Sequence, residues 1–123
     1  MKFDALSNRV IGCAIEVHRE LGPGLLESTY EQCLVHELKQ KDIQCVTQKQ
    51  LPVQYKGLHL DCGYRIDLLL ENSLIVELKC VESLQPIHEA QILTYMKITQ
   101  IKTGLIINFN VQYLRKGIKR FVL

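Results

Sequence analysis

The sequence predicts an α/β (α+β) fold, a single domain over residues 1–123 in which a central mixed β-sheet is flanked by helices. Three observations carry that reading. Apolar residues recur three and four apart over residues 4–20, 26–41 and from Pro86 onward, the period of amphipathic helices. Two aliphatic runs inside Arg65 to Lys79 flank a short polar turn, as in a hairpin whose strands are covered on both faces. A further strand-like run, Gly104 to Phe109, follows a helix directly, so it joins the sheet through a crossover connection.

The first helix spans Asp4 to Glu20, with Leu6, Val10, Cys13, Ala14 and Val17 as its apolar stripe and Asp4 or Ser7 as cap. Leu21-Gly-Pro-Gly24 ends it, because glycine suits a left-handed cap and proline cannot continue a helix. The second helix runs from Leu26 to Lys41 on the stripe Leu26, Tyr30, Cys33, Leu34 and Leu38. Glu27 lies in its first turn, where an acid stabilises the helix dipole by about 0.3–1 kcal/mol without any chemistry. Tyr30, one turn on, reads as core.

Ile43 to Thr47 and Leu51 to Tyr55 alternate as strands do, and Pro52 places the second at an edge or delays its start. Lys56-Gly57 makes a turn. Leu58 to Leu70 continues extended, with a bend at Gly63, and the expected product is a meander of about four strands.

The hairpin is the part the rest supports. Glu71-Asn-Ser73 separates Leu68–Leu70 from Leu74–Val76, and three polar residues, Asp67, Glu77 and Lys79, interrupt the aliphatic pattern. Alternation along a strand sends Glu77 and Lys79 to one face. If the loop has three residues, Asp67 opposes Glu77 and Arg65 opposes Lys79; a two-residue turn instead places Asp67 opposite Leu78 and separates the acids. In the first register two carboxylates sit roughly 5 Å apart at Cβ and repel unless a cation lies between them. Magnesium or manganese, which take oxygen ligands, would resolve that repulsion. The chemistry-free reading is an Asp67–Arg65 or Glu77–Lys79 ion pair on an exposed sheet face.

Pro86 opens the third helix where its missing N–H does no harm, with Ser83 or Gln85 as cap. Ile87, Ala90, Leu93, Thr94 and Ile98 or Ile101 mark its expected buried side, while His88, Gln91 and Tyr95 share another stripe. Lys119 to Leu123 closes the sheet as a short strand.

Composition narrows the function classes. The apolar runs fall far short of the roughly 20 residues of a membrane helix, and Met1 to Asp4 does not open a signal peptide, so the expectation is a cytoplasmic protein that does not enter a membrane. Five cysteines without a close pair read as buried, reduced thiols, and neither they nor the four histidines match a zinc framework. Glycine-rich phosphate loops and Ser/His/Asp arrangements are absent. The net charge of +2 hides an asymmetry: after Glu89 no acid follows, and Lys97, Lys102, Arg115, Lys116, Lys119 and Arg120 leave the final third purely basic. Such a segment suits phosphates, or is a solvated edge without consequence.

Asp67 followed by Glu77-Leu-Lys79 resembles the PD-(D/E)xK nuclease signature. Gly24-Leu-Leu-Glu27-Ser-Thr-Tyr30 matches the GxxExxY motif of a family of small prokaryotic proteins in that superfamily, and the likeness extends from Val17 to the Asn108-Phe-Asn110 and Gly117-Ile-Lys-Arg120 segments. The resemblance implies a PD-(D/E)xK nuclease-like core of helix, three mixed-direction strands, helix and strand. It implies Asp67 and Glu77 as metal ligands, Lys79 as the catalytic lysine and Glu27 as an extra helix acid at the metal. Gln91-Ile-Leu-Thr-Tyr95 matches the QxxxY motif of an exonuclease branch, which supports the site and contacts DNA. Ile66 stands where the signature has proline.

The expected function is therefore a hydrolase, a Mg2+- or Mn2+-dependent nuclease acting on nucleic acid, DNA rather than RNA. Asp67, Glu77, Lys79, Glu27 and Gln91 would form the site, and Arg65, Tyr95, Arg115, Lys116, Lys119 and Arg120 would hold the strand. The alternative is a nucleic-acid- or protein-binding module that keeps the fold without turnover. A homodimer through residues 4–20 is a third reading.

Overall fold

The computed structural model describes residues 3–123, and it is an α+β fold with a five-stranded mixed sheet and three helices. Helix α1 covers Ala5–Leu21 and α2 covers Glu27–Gln40. Strand β1 (Cys45–Gln50) leads to a small hairpin of β2 (Val53–Tyr55) and β3 (Leu58–Leu60), then to β4 (Arg65–Leu70) and β5 (Leu74–Lys79). Helix α3 (Pro86–Thr99) crosses over to β6 (Thr103–Asn108), and a 3-10 turn at Leu114–Gly117 precedes β7 (Ile118–Val122). The sheet order is β1-β4-β5-β6-β7, antiparallel except for β5 beside β6, which are parallel.

The expected four-strand meander is therefore corrected. β2 and β3 pair only with each other, while β1 pairs directly with β4. Pro52 has no N–H to give a ladder, and Lys56 and Gly57, both at positive φ (48° and 85°), fold the chain back on itself in a tight hairpin turn. The main sheet resumes only at Arg65.

The ends of α1 and the start of α3 have chemical causes. Asp4 caps α1, its carboxylate accepting from Ser7 N–H at 3.0 Å, and Gly22 closes it at φ 67°. Gln85 caps α3, and its own N–H donates to His88 Nδ1 at 3.0 Å. Tyr30 O–H donates to Gly22 O and accepts from Leu25 N–H at 3.2 Å, while its ring stacks on Phe109 with centroids 4.4 Å apart. The motif tyrosine thus ties the α1–α2 joint to the end of β6.

Two cores lie on the two faces of the sheet. Helices α1 and α2 cover Leu68, Leu70, Leu74, Val76 and Leu78 with Val10, Ala14, Val17, Tyr30, Leu34 and Leu38. Helix α3 covers Ile66, Leu69, Ile75 and Ile106 with Ile92, Tyr95 and Met96. The apolar stripe of α1 is thus used inside the chain. On α3 the expected buried side is wrong: Ile87 is 70% exposed and Ile98 43%, Ala90 and Thr94 face outward, and only Leu93 and Ile101 pack partly. Apolar residues occur all round this helix, so periodicity does not select a face. Gly104 does, since a Cβ there would come within 2.8 Å of Met96 Sδ.

Leu26 is also 74% exposed, as the residue just outside α2. All five cysteines are free thiols, but Cys62 is exposed and only Cys13 is fully buried, so the expectation of buried thiols holds in part. Among the described residues no helix is long and apolar enough to cross a membrane.

Candidate active site

The β4–β5 ladder closes in the three-residue register. Leu70 faces Leu74, Leu69 faces Ile75, Leu68 faces Val76, and there the pairing stops. Asp67 and Glu77 come next, and their side chains take over the backbone donors that the missing pairs release. Asp67 Oδ2 accepts from Leu78 N–H at 2.9 Å, and Glu77 Oε2 accepts from Asp67 N–H at 3.4 Å. The expected regular cross-strand pair is replaced by a splayed end in which carboxylates reach across.

The other side of β4 is interrupted at the same residue. The β1–β4 ladder pairs Thr47 with Leu68 and Lys49 with Ile66, and leaves out Gln48 opposite Asp67. Gln48 has a left-handed backbone, φ 51°, rare for a side chain with a Cβ. Its amide Nε2 donates to Glu31 Oε1 at 2.7 Å and to Asp67 Oδ1 at 3.3 Å. Simple alternation would put Ile66 and Leu68 on one face, yet Ile66 packs under α3 and Leu68 under α1 and α2. The chain rotates at Asp67, which has no backbone pairing on either side to hold it.

Glu77 is 4% exposed, and its Oε1 is buried without a hydrogen-bond partner. Burial, then the hydrogen bond and charge of Asp67, push its carboxyl up to about 9, against the weaker opposing pull of Asp67 N–H and Lys79. Near neutral pH Glu77 therefore carries a proton. Lys79, half-buried at the end of β5, is anchored through its carbonyl, which accepts from Phe109 N–H at 2.9 Å. Buried Asn108 clips the next turn, its side chain bonding both the N–H and the carbonyl of Val81. Gly117 packs against that strand end, where a Cβ would overlap Asn108 O.

Helix α2 brings acids to the same place. Crowding of the Glu27 carboxyl raises its pKa, with Asp67 adding to the rise and Lys79 opposing it, although the residue as a whole is exposed. Glu31, one turn further, is raised by partial burial and by Asp67, while the Gln48 hydrogen bond lowers it. Sequence reasoning missed both Glu31 and Gln48. The i, i+4 spacing of Glu27 and Glu31 on one helix face was a readable signal. A left-handed glutamine inside a strand carries none.

From the α3 side, Gln91 Nε2 donates to Tyr95 O–H at 3.1 Å. Tyr95 is 5% exposed and packs in the core in one cluster with Ile66; burial and then the charge of Glu77 raise its hydroxyl. Its expected contact with nucleic acid is thus not available to its ring. The other expected strand-holding residues are dispersed. Lys119 pairs with Glu89 at 2.8 Å and Arg120 with Asp4 at 2.8 Å, so neither is an uncommitted cation. Arg65 is exposed, bonded to its neighbour Tyr64 O at 3.0 Å and 3.9 Å from Asp61. Arg115 and Lys116 are exposed in the 3-10 turn and make no ion pair among the described residues.

The residues fit a hard divalent cation in one respect and lack a preformed cage in another. Two carboxyls held together, one with a buried oxygen that nothing satisfies, form a place where a dication can replace a proton. Among the described residues, however, no three His, Cys, Asp or Glu side chains converge as a ready metal cluster. Magnesium does not require one, because it commonly takes one or two carboxylates and fills its octahedron with water and substrate phosphate.

With this geometry in view, the family model described as PD-(D/E)XK nuclease superfamily matches the chain over residues 4–121. No curated protein and no solved structure matches it.

Proposed function

The chain belongs to the PD-(D/E)XK nuclease superfamily, and from that premise we propose that residues 1–123 form one nuclease domain of the GxxExxY type that hydrolyses phosphodiester bonds, with DNA as substrate. The observation that carries the reading is the pair Asp67 and Glu77, brought together where both strand ladders of β4 lapse, with Lys79 on the same strand as Glu77.

Members of this superfamily generally use divalent metals, and Asp67 and Glu77 are the residues that would hold Mg2+ or Mn2+ here. Bound there, the ion supplies charge to polarise a phosphoryl oxygen and to lower the pKa of water. Leu78 N–H and the Gln48 amide fix both oxygens of Asp67, so the ligand is oriented before any ion arrives. Lys79 presents an ammonium group beside the acids, suited to charge that builds up on the phosphate during displacement. Glu27 and Glu31 on α2 would serve as proton acceptors, Glu31 being joined to Asp67 through the Gln48 amide and both feeling the Asp67 charge, and Gln91 orients the Tyr95 hydroxyl from α3. Arg65, Arg115 and Lys116 are the cations left to meet the backbone. Five free thiols suit a reducing compartment, the cytoplasm.

The test is cleavage. Purified protein with single-stranded, duplex or branched DNA and magnesium or manganese should give products that disappear with a chelator, and Lys79→Ala should slow the reaction by about 10²–10³-fold. Wild type that cleaves no better than Lys79→Ala would overturn the proposal.

A second reading is a module that binds nucleic acid without turnover, favoured by the lack of a preformed three-residue metal cluster among the described residues. It predicts DNA binding that survives Asp67→Ala, depends strongly on salt and is never followed by hydrolysis.

A further inference from the structure

On the α3 side of the sheet an open groove of about 320 Å3 runs between the segment leading into β4 and the outer face of α3. Its rim is apolar and exposed: Tyr64 is 45% exposed, Ile87 70% and Ile98 43%, with Leu51 buried beneath them. Gln91 and Tyr95 line the groove too, and Tyr95 belongs to one buried cluster with Ile66, the residue next to Asp67. Groove and acid pair therefore share a wall.

Tyr64 is pinned against that wall. Its ring meets Tyr95 edge-on, with centroids 6.4 Å apart and planes at 63°. Arg65 follows it in the chain, its guanidinium bonded to Tyr64 O at 3.0 Å. Gln91 spends an amide N–H on Tyr95 O–H and makes no other hydrogen bond, so its carbonyl remains an acceptor.

From this juxtaposition we infer that the groove is a nucleobase subsite, in which one base of the strand whose phosphate lies at Asp67 and Glu77 stacks on Tyr64 and donates to Gln91. The inference rests on the nuclease reading and deepens it by naming the substrate form. The volume is at the small end of ligand sites, which span about 300–1,000 Å3, and so accepts a single ring system. Stacking on an aromatic side chain tolerates any base, because every base has a π face. A paired base is not free to enter, so the strand at this site is unpaired: a single strand, an overhang or a frayed end. A lipid or an apolar peptide would fill the same apolar rim but would gain nothing from a wall shared with two carboxyls.

The experiment uses labelled oligonucleotides, single-stranded and duplex, titrated in magnesium against Lys79→Ala protein so that the strand is not consumed. Adding Tyr64→Ala should weaken single-strand binding by about 5- to 150-fold, the equivalent of one stacked base, and leave duplex binding within about twofold. Tyr64→Phe should restore it, and a strand made wholly of abasic sites should bind both proteins equally. Equal effects on single strand and duplex, or no effect of Tyr64→Ala while the parent protein binds single strands, would overturn the subsite and leave the nuclease reading standing. Absence of all nucleic-acid binding would overturn both. Melting curves of each variant separate loss of binding from loss of fold.

Discussion

The two ends of the β4–β5 hairpin are consecutive stretches of the same two strands, yet they do opposite things with their backbone. At the turn end, three successive pairs, Leu70 with Leu74, Leu69 with Ile75 and Leu68 with Val76, are no more than 7% exposed and keep the ladder closed. At the open end the ladder is given up, and N–H groups of Leu78 and Asp67 find carboxylate oxygens in place of carbonyls. Buried backbone donors must be satisfied in either case. The difference teaches how a sheet makes a polar site: the acids stay in position by accepting the hydrogen bonds that strand pairing would otherwise use.

If that division is correct, damage at the closed end should be paid in stability and damage at the open end in chemistry. Leu70→Ala, at a fully buried position, should destabilise the fold by about 2–5 kcal/mol in denaturant titrations while leaving cleavage per folded molecule intact. Asp67→Asn should reverse the pattern. It keeps an acceptor for Leu78 N–H and removes the charge, so cleavage should fall by about 10²–10³-fold and the heat of manganese binding should vanish, with little change in melting. Calorimetric traces that match for wild type and Asp67→Asn would refute the metal assignment.

Glu77 sharpens the comparison through pH. Its carboxyl is raised to about 9 when folded, against the ordinary glutamate value of 4.5, so between these values the folded chain holds a proton that the unfolded chain has lost. Stability is then unimpaired below the window and declines as pH rises through it. Glu77→Gln should flatten that decline and, without metal near pH 8, gain about 1–3 kcal/mol over wild type, since no buried acid is left that must hold a proton the unfolded chain releases. Magnesium or manganese should raise the wild-type melting temperature more near pH 8 than near pH 6 and should not move Glu77→Gln. A wild-type melting temperature that is level across the window would contradict the protonated pair.

The smallest expected effect is at Gln48. Glycine relieves its left-handed backbone, by about 1 kcal/mol, and removes the amide that joins Glu31 to Asp67. Gln48→Gly should melt no lower than wild type yet bind manganese about 10–100-fold more weakly, because the oriented ligand has lost its support. Unaltered affinity would make Gln48 a turn residue only.

Several of these features were readable before any coordinates. Aliphatic runs about Glu71-Asn-Ser73 mark the hairpin, although only the ladder itself decides between a three-residue and a two-residue turn, and Pro86, Gly22 and Asp4 mark helix ends by their own chemistry. The turn at Lys56-Gly57 was legible for the same reason. The independence of the β2–β3 hairpin was not, since the same extended pattern serves a strand of the main sheet or one beside it. Nor was the buried face of α3, on which apolar residues leave two orientations nearly equal. Lys119 and Arg120 read as free cations until Glu89 and Asp4 are seen beside them.

By itself, then, the amino-acid order determined the elements, their order and the one hairpin where acids interrupt an aliphatic pattern, because periodicity, capping and turn chemistry act between residues close in the chain. Only the tertiary structure decided that both ladders of β4 lapse at Asp67, that Glu77 is sealed in and its carboxyl pushed up, that Gln48 joins Glu31 to Asp67, and that Tyr64 meets Tyr95. Those outcomes depend on contacts between segments far apart in sequence, and burial, which moves a carboxyl by several pH units, is a property of what surrounds a residue and not of its neighbours along the chain.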